Sequence, residues 1–408
     1  MTKRKIILGV AGLLLAAGIA GGSFIAGFEV GARTPQTIIV RGVADVETPD
    51  GVDADFGVFW QAWKFVENEY LKIGEVDGEK RVYGAISGLV QSLDDPNSVF
   101  FPPEENKKFH EELQGSFGGI GAELGIRDEK LVIIAPLKDT PANQAGLRPR
   151  DHIAKINASS TDGITIERAV DLIRGPEGTK VTLTIEREEW ENPRDIEIVR
   201  GIIDIPTLDF EMKESGIAYF GLHSFNAKAS FLFYRAANDS MREGAKGIVL
   251  DLRNNPGGYL DVAVDLAGWF LPRGTVVVKE VGRDGNGKEF LAEGSGALRD
   301  LPIVVLINEG SASASEILAG TLRDHRGVKL VGARSFGKGT VQQAEALKDG
   351  SSLKLTIAHW VLPGGQAIEG TGLDPDVKVE RTEGDIEENR DPQLTSAIEL
   401  LEEEISRR

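Results

Sequence analysis

The chain of 408 residues contains no cysteine, which excludes disulfides, cysteine-based metal sites and a cysteine nucleophile. Histidine is scarce as well. The five histidines are scattered along the chain, and none of them forms the H-x-x-x-H spacing of a zinc-binding helix. We therefore expect no metal site, and nothing else in the sequence calls for a cofactor.

The chain also has fewer basic than acidic residues. Lysine and arginine number 46 against 64 aspartate and glutamate residues, for a formal net charge of −18. Nucleic acid is excluded as a partner, because a phosphate backbone needs a basic face and no run of lysine and arginine supplies one. The hydrophobic content of 41% and charged content of 27% are typical of a folded protein, and the length predicts two or three domains.

Charge is absent from residues 6–28, an apolar stretch long enough to cross a hydrocarbon core of about 30 Å as a helix. Basic residues precede it and Glu29 follows it, which predicts a cytoplasmic N-terminus with the bulk of the chain outside. We therefore predict a single-pass protein of the cell membrane. The alternative is a signal peptide, cleaved at the small-x-small pattern ending at Ala20, which would leave a periplasmic or secreted protein.

A glycine-rich segment, Gly119-Ile120-Gly121, opens a series of short β-patterns with two short helices between them. This order of elements resembles a PDZ domain. Glycines let consecutive backbone N–H groups converge on a terminal carboxylate, and the next strand can pair with an extended peptide. The motif alone also fits a plain turn. Arg150 and Ala158 stand where such domains usually carry glycine, at turns outside the proposed groove.

Residues further along the chain alternate between strand and helix patterns, which indicates a largely parallel sheet covered by helices. A final charged segment has the spacing of an amphipathic helix that packs through Leu394, Ile398 and Leu401. We predict six regions: 1–30, an anchor or signal; 31–50, a linker; 51–107, a helical region; 108–200, the PDZ-like domain; 201–380, the strand-and-helix core; 381–408, a C-terminal tail and helix.

Reactive groups in such α/β folds lie on loops that leave the carboxyl ends of strands, and two loops qualify. Residues 251–258, D-L-R-N-N-P-G-G, can point backbone N–H groups at an oxyanion or form a tight turn. The other loop ends in S-A-S-A-S-E at residues 311–316, with Ser313 before an apolar helix whose dipole favours developing negative charge. Ser313 and Glu316 also match a capping box, and local sequence does not separate a cap from a nucleophile.

A serine hydroxyl needs a base to remove its proton. His325 lies near the far end of the helix that begins beside Ser313, about 18 Å away at helical rise, and is a poor candidate. Lys338 is the other candidate, because desolvation in a buried site favours the neutral amine that a base requires. Gln342 is placed to orient that amine by a hydrogen bond.

The segment around Lys338 also comes within one residue of a phosphate-binding P-loop. That motif needs serine or threonine after the lysine to ligate magnesium, and Gly339 has no side chain. The glycines on both sides of Lys338 instead permit close packing around the amine.

Together these motifs resemble the carboxy-terminal processing peptidases, also called tail-specific proteases. The resemblance covers about residues 55–380, and it rests on the PDZ-like segment, residues 251–258, residues 311–316 and F-G-K-G-T-V-Q at residues 336–342. It implies a multi-domain α/β fold: a ClpP/crotonase-like protease core, an inserted PDZ-like β-rich domain and an N-terminal helical region, preceded by the transmembrane helix.

The resemblance also implies a role for each matched residue. Ser313 would be the nucleophile, Lys338 the general base and Gln342 the residue that positions the lysine, while Ser311 and Ser315 would be structural. The backbone N–H groups of Gly258 and Ala314 would form the oxyanion hole. Residues Gly119, Ile120 and Gly121 would bind the C-terminus of the substrate.

The expected function is that of an envelope serine endopeptidase. It would capture proteins or peptides with free, apolar C-termini and cleave them through an acyl-enzyme, and its PDZ-like domain could gate the site. Three rivals are a non-catalytic peptide-binding scaffold, a carrier of hydrophobic ligands and a nucleotide-dependent enzyme. The sequence leaves open whether the protein is a homo-oligomer or works with an adaptor protein.

Overall fold

The computed structural model describes residues 55–408, apart from residues 128, 188 and 214. The described residues divide into two compact units, with the boundary between Val76 and Asp77. In the first unit, helix α1 (Gly57–Glu69) is followed by a short 3-10 turn (Ile73–Glu75). Helix α1 lies within residues 51–107, for which a helical region is predicted, and it carries several aromatic residues at helical spacing. The ring of Phe59 lies 5.1 Å from that of Trp60 and 5.9 Å from that of Trp63.

The second unit opens with three elements. Helix α2 (Gly78–Gln91) begins at Asp77, whose side chain accepts a hydrogen bond from the backbone N–H of Glu79. Strand β1 (Val99–Phe101) and helix α3 (Pro103–Gln114) follow. Helix α3 was not predicted, although it starts with proline and ends at Gly115 in the left-handed conformation, both common signals of a helix boundary.

Residues 116–204 form the β-rich region expected from the resemblance to a PDZ domain. An antiparallel sheet has the order β3-β4-β5-β7-β8, with β6 paired to β5, while β2 and β9 pair separately. Burial alternates along β7, as expected for a strand with one face on the core. The elements are β2 (Ser116–Gly119), β3 (Ala122–Arg127), β4 (Lys130–Pro136), α4 (Pro141–Gln144), β5 (His152–Ile156), β6 (Ser159–Ser160), α5 (Ile166–Ile173), β7 (Lys180–Glu186), β8 (Arg194–Val199) and β9 (Gly201–Asp204).

The two departures from the PDZ pattern lie at turns, as expected. Arg150 and Ala158 have φ angles of 72° and 68°, in the left-handed region that glycine adopts at least cost. A side chain at each position is tolerated at a cost of about 1 kcal/mol, because neither residue lies in a strand of the sheet.

The remainder of the chain builds two further sheets. The six-stranded sheet has the order β10-β11-β12-β15-β16-β19 and is parallel except for its edge strand β10, which confirms the predicted parallel core. Its elements and those around it are β10 (Leu208–Met212), β11 (Ile217–Leu222), α6 (Ala229–Arg242), β12 (Gly247–Asp251), α7 (Leu260–Ala267), β13 (Val276–Gly282), β14 (Gly287–Leu291), β15 (Ile303–Ile307), α8 (Ala314–Arg326), β16 (Lys329–Gly332), β17 (Thr340–Ala346), β18 (Ser352–Val361), β19 (Val377–Lys378), α9 (Glu383–Glu387) and α10 (Pro392–Arg407).

The other sheet is antiparallel and was not predicted. Its order is β1-β18-β13-β14, and β17 pairs with β18 as well. Strand β18 therefore pairs with β1, β13 and β17. Strand pairing in this sheet brings residues near 100 next to residues near 350. No local pattern in the sequence predicts this contact.

Helices cover both faces of the parallel sheet. Strand β15 is buried along its whole length, as its unbroken apolar run indicates. On one face Val305 packs in the core formed with α6, α7 and α8. On the other face Val304 packs with Leu401 of α10, and Leu394 and Ile398 pack against the same cluster. The predicted docking of the C-terminal helix is thus confirmed.

The predicted membrane location requires a correction. Within the part of the chain that the structure describes, no helix is long and apolar enough to cross a membrane. The longest described helix, α10, has 16 residues, and a spanning helix needs about 20 apolar ones. Residues 6–28, on which the prediction of a cell-membrane anchor rested, lie outside the described residues.

The packing of α10 leads to a first prediction. Leu401→Ala should lower the free energy of unfolding by about 2–5 kcal/mol, because it removes a fully buried side chain from the core between α10 and the sheet. Urea unfolding followed by circular dichroism measures the change. Glu402→Ala, at the neighbouring exposed position, should change it by less than about 0.5 kcal/mol. Equal effects of the two substitutions would contradict the docking of α10.

Candidate active site

Ser313 lies between strand β15 and helix α8, where it is the N-cap of the helix. Its backbone has φ 54° and ψ −114°, a conformation that residues other than glycine rarely adopt. A strained turn from a strand into a helix is a known way to present a serine hydroxyl to a substrate. The next residue, Ala314, starts the helix, so its N–H has no partner within the helix.

The glycine loop, residues 251–258, packs directly against the loop that carries Ser313. The backbone N–H of Ala312 donates to the carbonyl oxygen of Asn255 over 3.0 Å. The buried hydroxyls of Ser311 and Ser315 donate to the carbonyl oxygens of Leu252 and Asn255, over 2.8 and 2.9 Å. Both serines therefore tie the two loops together, the structural role expected for them.

The close approach of the two loops explains the paired glycines at the end of the glycine loop. A Cβ on Gly257 would lie 2.8 Å from the carbonyl oxygen of Ala312 and 2.9 Å from the Cβ of Ser313. A Cβ on Gly258 would lie 2.4 Å from the carbonyl oxygen of Phe225. Their φ angles of 98° and 145° also favour glycine. Only a chain without side chains here can run this close to Ser313.

Glu316 connects the serine loop to the lysine loop, residues 333–339. Its side chain is fully buried and accepts four hydrogen bonds. One carboxylate oxygen, Oε2, accepts from the backbone N–H groups of Ser313 over 2.8 Å and of Lys338 over 2.9 Å. The other, Oε1, accepts from the hydroxyl of Ser335 over 2.6 Å and the N–H of Gly337 over 2.7 Å. Burial raises the pKa of Glu316, although the four donors act in the opposite direction.

The lysine loop is packed as tightly as the glycines around Lys338 predict. A Cβ on Gly339 would lie 2.2 Å from the backbone nitrogen of Glu369, and one on Gly337 would lie 3.0 Å from that of Gly372. A strand, β17, follows this loop where a P-loop requires a helix. The N–H groups of Gly337 and Lys338, which would have to hold a phosphate, donate to Glu316 instead. The structure thus gives a second reason against nucleotide binding.

Gln342 lies on β17 and makes its hydrogen bonds within the antiparallel sheet. Its amide nitrogen donates to the hydroxyl of Thr340 over 2.6 Å and to that of Thr356 over 3.4 Å. Among the hydrogen bonds of the described residues, a direct bond from Gln342 to Lys338 is not found. The positioning role of Gln342 therefore stays a prediction.

A single cavity of about 470 Å³ brings together all five residues that were predicted to act in catalysis. A volume of this order suits a small group of side chains of a bound peptide. These five residues are Gly258, Ser313, Ala314, Lys338 and Gln342. They come from the glycine loop, the serine loop, the lysine loop and β17, so the fold assembles the site from separate parts of the chain.

Several residues that line this cavity were missed by the sequence analysis. Phe109, His110 and Leu113 come from α3, and the spacing of Phe109 and Leu113, together with the proline and glycine at its ends, could have identified this helix. The Nζ atom of Lys354, on β18, lies 5.4 Å from the ring centroid of Phe101 and 5.4 Å from that of Phe109. Burial lowers the pKa of Lys354, and the charge of Lys338 lowers it further. No local motif distinguishes Lys354 from other lysines.

The residues predicted to bind a substrate C-terminus lie in the β-rich region of residues 116–204 and do not line this cavity. Ile120 is buried, and its carbonyl oxygen accepts from the N–H of Ala142 over 2.7 Å. Gly121 has a φ of 72°, and its carbonyl oxygen accepts from the N–H of Leu137 over 2.9 Å. Gly119 ends β2, so the three residues form the turn that leads into β3.

Helix α3 lies between the two sites. It lines the catalytic cavity through Phe109 and Leu113. Its Glu112 pairs with Arg174, just after α5 of the PDZ domain, over 3.6 Å, and its Lys108 pairs with Asp171 of α5. One helix thus contacts both the β-rich region of residues 116–204 and the cavity that contains Ser313.

Comparison with known protein families identifies three matching regions. The model of Peptidase family S41 matches residues 216–379, and that of a PDZ domain matches residues 132–187. The model of the activating protease CtpB N-terminal domain matches residues 21–104. A putative S41 protease from Bacteroides fragilis has the same fold, with a TM-score of 0.53 over 83% of this chain and 96% of that one at 17% identity.

Two relatives are similar over most of this chain. The carboxy-terminal processing protease CtpA of Bacillus subtilis is 38% identical over 328 residues, which cover 80% of this chain and 70% of the relative. A probable CtpA-like serine protease of Staphylococcus haemolyticus is 40% identical over 319 residues, 78% of this chain and 63% of the relative. This chain therefore spans less than two thirds of that relative. The chain belongs to the carboxy-terminal processing peptidases of peptidase family S41.

Proposed function

We propose that this protein is a serine endopeptidase that holds the free C-terminus of a protein in its PDZ domain and cleaves peptide bonds with a Ser313–Lys338 dyad. The observation that carries the proposal is the cavity that brings Ser313, Ala314, Gly258 and Lys338 together from three loops. Glu316 supports it, because one carboxylate oxygen accepts hydrogen bonds from the backbones of both members of the dyad.

The first half of the reaction forms an acyl-enzyme. Ser313 Oγ attacks the carbonyl carbon of the scissile peptide bond, while the neutral amine of Lys338 takes the hydroxyl proton. The oxyanion that results accepts hydrogen bonds from the N–H groups of Gly258 and Ala314, and the dipole of α8 favours its negative charge. Lys338 then gives its proton to the leaving amine, so the C–N bond breaks and the serine ester remains.

The second half releases the ester. Lys338, neutral again, takes a proton from a water molecule that attacks the ester carbonyl. The same N–H groups stabilise the second oxyanion, and the proton returns to Ser313 as the C–O bond breaks. No metal or cofactor takes part in either half of this sequence.

Substrate capture would begin in the PDZ domain. The turn at Gly119, Ile120 and Gly121 leads into β3, the position at which a PDZ domain binds a terminal carboxylate and pairs with an extended peptide. The apolar side chains in the catalytic cavity, among them Leu113, Ile317 and Trp360, favour an apolar residue next to the scissile bond. Suitable substrates are therefore unfolded chains with apolar C-termini.

The dyad gives a direct prediction. Ser313→Ala and Lys338→Ala should each lower kcat/KM for an unstructured protein with an apolar C-terminus by about 10³-fold or more. Both variants should still bind that protein, because its capture depends on the PDZ domain. Cleavage is followed by mass spectrometry and binding by fluorescence anisotropy. Lys348→Ala, at an exposed turn, serves as the control. Undiminished cleavage by Lys338→Ala would exclude the dyad and favour a peptide-binding scaffold or a different base.

The capture step can be tested on the substrate itself. Amidation of its C-terminus should weaken binding by about tenfold, because it removes the charge that the N–H groups of the PDZ turn would bind. Binding of the acid and amide forms to Ser313→Ala, which cannot turn them over, gives the comparison. Equal affinities would show that the turn at residues 119–121 does not read a free carboxylate.

The glycine loop provides a third prediction. Gly257→Ala should lower kcat by at least about 100-fold, because its Cβ would collide with Ala312 and Ser313 and displace the N–H of Gly258. Gly274→Ala is the matched control, since Gly274 has a similar φ of 85° but nothing within 4 Å of an added Cβ. The control should therefore suffer only backbone strain. A Gly257→Ala variant with the kinetics of the control would contradict the proposed oxyanion hole.

A further inference from the structure

Arg253, in the glycine loop, is nearly buried, with 9% of its side chain exposed. On one side its guanidinium donates to Asp251, with Nη2 2.6 Å from Oδ2 and Nε 2.9 Å from Oδ1. On the other side it donates to Asp391, with Nη1 2.9 Å from Oδ1 and Nη2 2.8 Å from Oδ2. One guanidinium thus joins two carboxylates that are 140 residues apart in the chain.

Asp391 is the N-cap of helix α10. Its Oδ1 accepts a hydrogen bond from the backbone N–H of Leu394 over 3.0 Å, in addition to the bonds from Arg253. Burial opposes the ionisation of Asp391, but the hydrogen bonds from Arg253 and Leu394 outweigh it and hold its pKa below the usual value. The carboxylate is therefore charged at neutral pH and joins α10 to the glycine loop.

A second side chain of α10 contributes to the same contact. Gln393 Oε1 accepts from Nη1 of Arg253 over 2.8 Å, and its amide nitrogen donates to the carbonyl oxygen of Val379 over 2.8 Å. Gln393 is 5% exposed, so both bonds are shielded from water. The first turn of α10 thus provides acceptors for Arg253 from both Asp391 and Gln393.

The contact continues toward the cavity through the glycine loop. The residue after Arg253, Asn254, donates its backbone N–H to Asn308 Oδ1 over 2.8 Å, and Asn308 donates back to Asn254 Oδ1 over 2.9 Å. Asn254 has a φ of 56°, a strained conformation that its neighbours must hold in place. The same loop ends at Gly258, whose N–H is proposed to bind the oxyanion.

We propose that Asp391 is a positioning residue for the glycine loop: by holding Arg253, the first turn of the C-terminal helix sets the place of the Gly258 N–H relative to Ser313. The inference rests on the proposed peptidase function, because it assigns a catalytic purpose to the loop. It extends the site to a helix that lies beyond residues 216–379, the part of the chain that matches the S41 family.

The physical reason lies in the burial of Arg253. Without Asp391 two of its N–H groups lose charged acceptors in a site from which water is largely excluded, and a buried unpaired donor is costly. Arg253 would turn toward other acceptors and take its backbone with it. An oxyanion hole is sensitive to such a shift, since a displacement of about 1 Å can cost about 100-fold in rate.

The test uses Asp391→Asn in the full chain. Asparagine is as good a helix N-cap as aspartate, so α10 should stay docked while the charge that holds Arg253 is lost. The expected result is a kcat lowered by about 10- to 100-fold with KM within about twofold of the wild type, because the oxyanion forms only after binding. Asp391→Glu, which keeps the charge, should recover part of the lost kcat.

The matched control is Asp385→Asn in the same C-terminal segment. Asp385 is the N3 residue of the capping box that begins at Thr382, the N-cap of α9, and it pairs with Arg390 over 3.0 Å, so it combines a part in helix capping with an ion pair as Asp391 does. Its hydrogen bonds go to Thr382 and Arg390, away from the glycine loop. The control should leave both kcat and KM within about twofold of the wild type, and melting temperatures show whether either variant is destabilised.

A second readout does not depend on activity. Hydrogen–deuterium exchange of the peptide that covers residues 252–258 should be faster in Asp391→Asn than in the wild type and unchanged in Asp385→Asn. If Asp391→Asn unfolds in the assay, Gln393→Met removes one acceptor of Arg253 and should show the same changes to a smaller extent.

The outcomes separate the two proposals. A wild-type kcat together with unchanged exchange in Asp391→Asn would overturn the positioning role of Asp391. A wild-type protein that cleaves no substrate would overturn the peptidase function, while the exchange experiment would still decide whether Asp391 orders the glycine loop. Equal losses of kcat in Asp391→Asn and Asp385→Asn would show a general effect on stability and would also overturn the proposal.

Discussion

The buried carboxylate of Glu316 is the interaction on which the rest of the active site depends. It accepts four hydrogen bonds, and a single oxygen holds the backbone N–H groups of both Ser313 and Lys338. Each of these donors would cost about 1–3 kcal/mol if it were buried without a partner. The serine and lysine loops are therefore held at a set separation by one side chain. The capping box that the sequence suggests is present at the start of α8, and its Glu316 also joins the serine loop to the lysine loop.

A second constraint is the space between the loops. The glycine loop runs so close to Ser313 that no Cβ fits at Gly257, and the hydroxyls of Ser311 and Ser315 fasten the two backbones together. These contacts are made by short side chains and by backbone groups, which leave the two loops little freedom of movement. These contacts hold the strained backbone of Ser313 in place. The packing of the core around α8 and β15 offsets the free-energy cost of that strain.

Two helices that carry none of the sequence motifs, α3 and α10, also contact the candidate site. Helix α3 closes one side of the cavity and touches the PDZ domain through Lys108 and Glu112. Helix α10 packs on the opposite face of the parallel sheet and reaches the glycine loop through Asp391. Both helices therefore contact the loops or the cavity of the candidate site through residues that the motifs do not include.

Much of this could be predicted, because residue type and local spacing carry it. The helical spacing of Leu394 and Ile398, the apolar run of β15 and the glycines at turns all depend on near neighbours. The five predicted catalytic residues meet in one cavity, because loops at the carboxyl ends of parallel strands gather at one edge of a sheet. The apolar content of residues 6–28 was less informative about where the protein is located. The membrane location inferred from it had to be corrected.

The sequence by itself determined which side chains can do chemistry and which segments form the parallel core. Only the tertiary structure decided which distant groups meet. The pairing of β1 and β13 with β18, the entry of Lys354 into the catalytic cavity and the contact of Asp391 with Arg253 join residues far apart in the chain. Such contacts follow from the packing of whole sheets and helices, and no local pattern of residues records them.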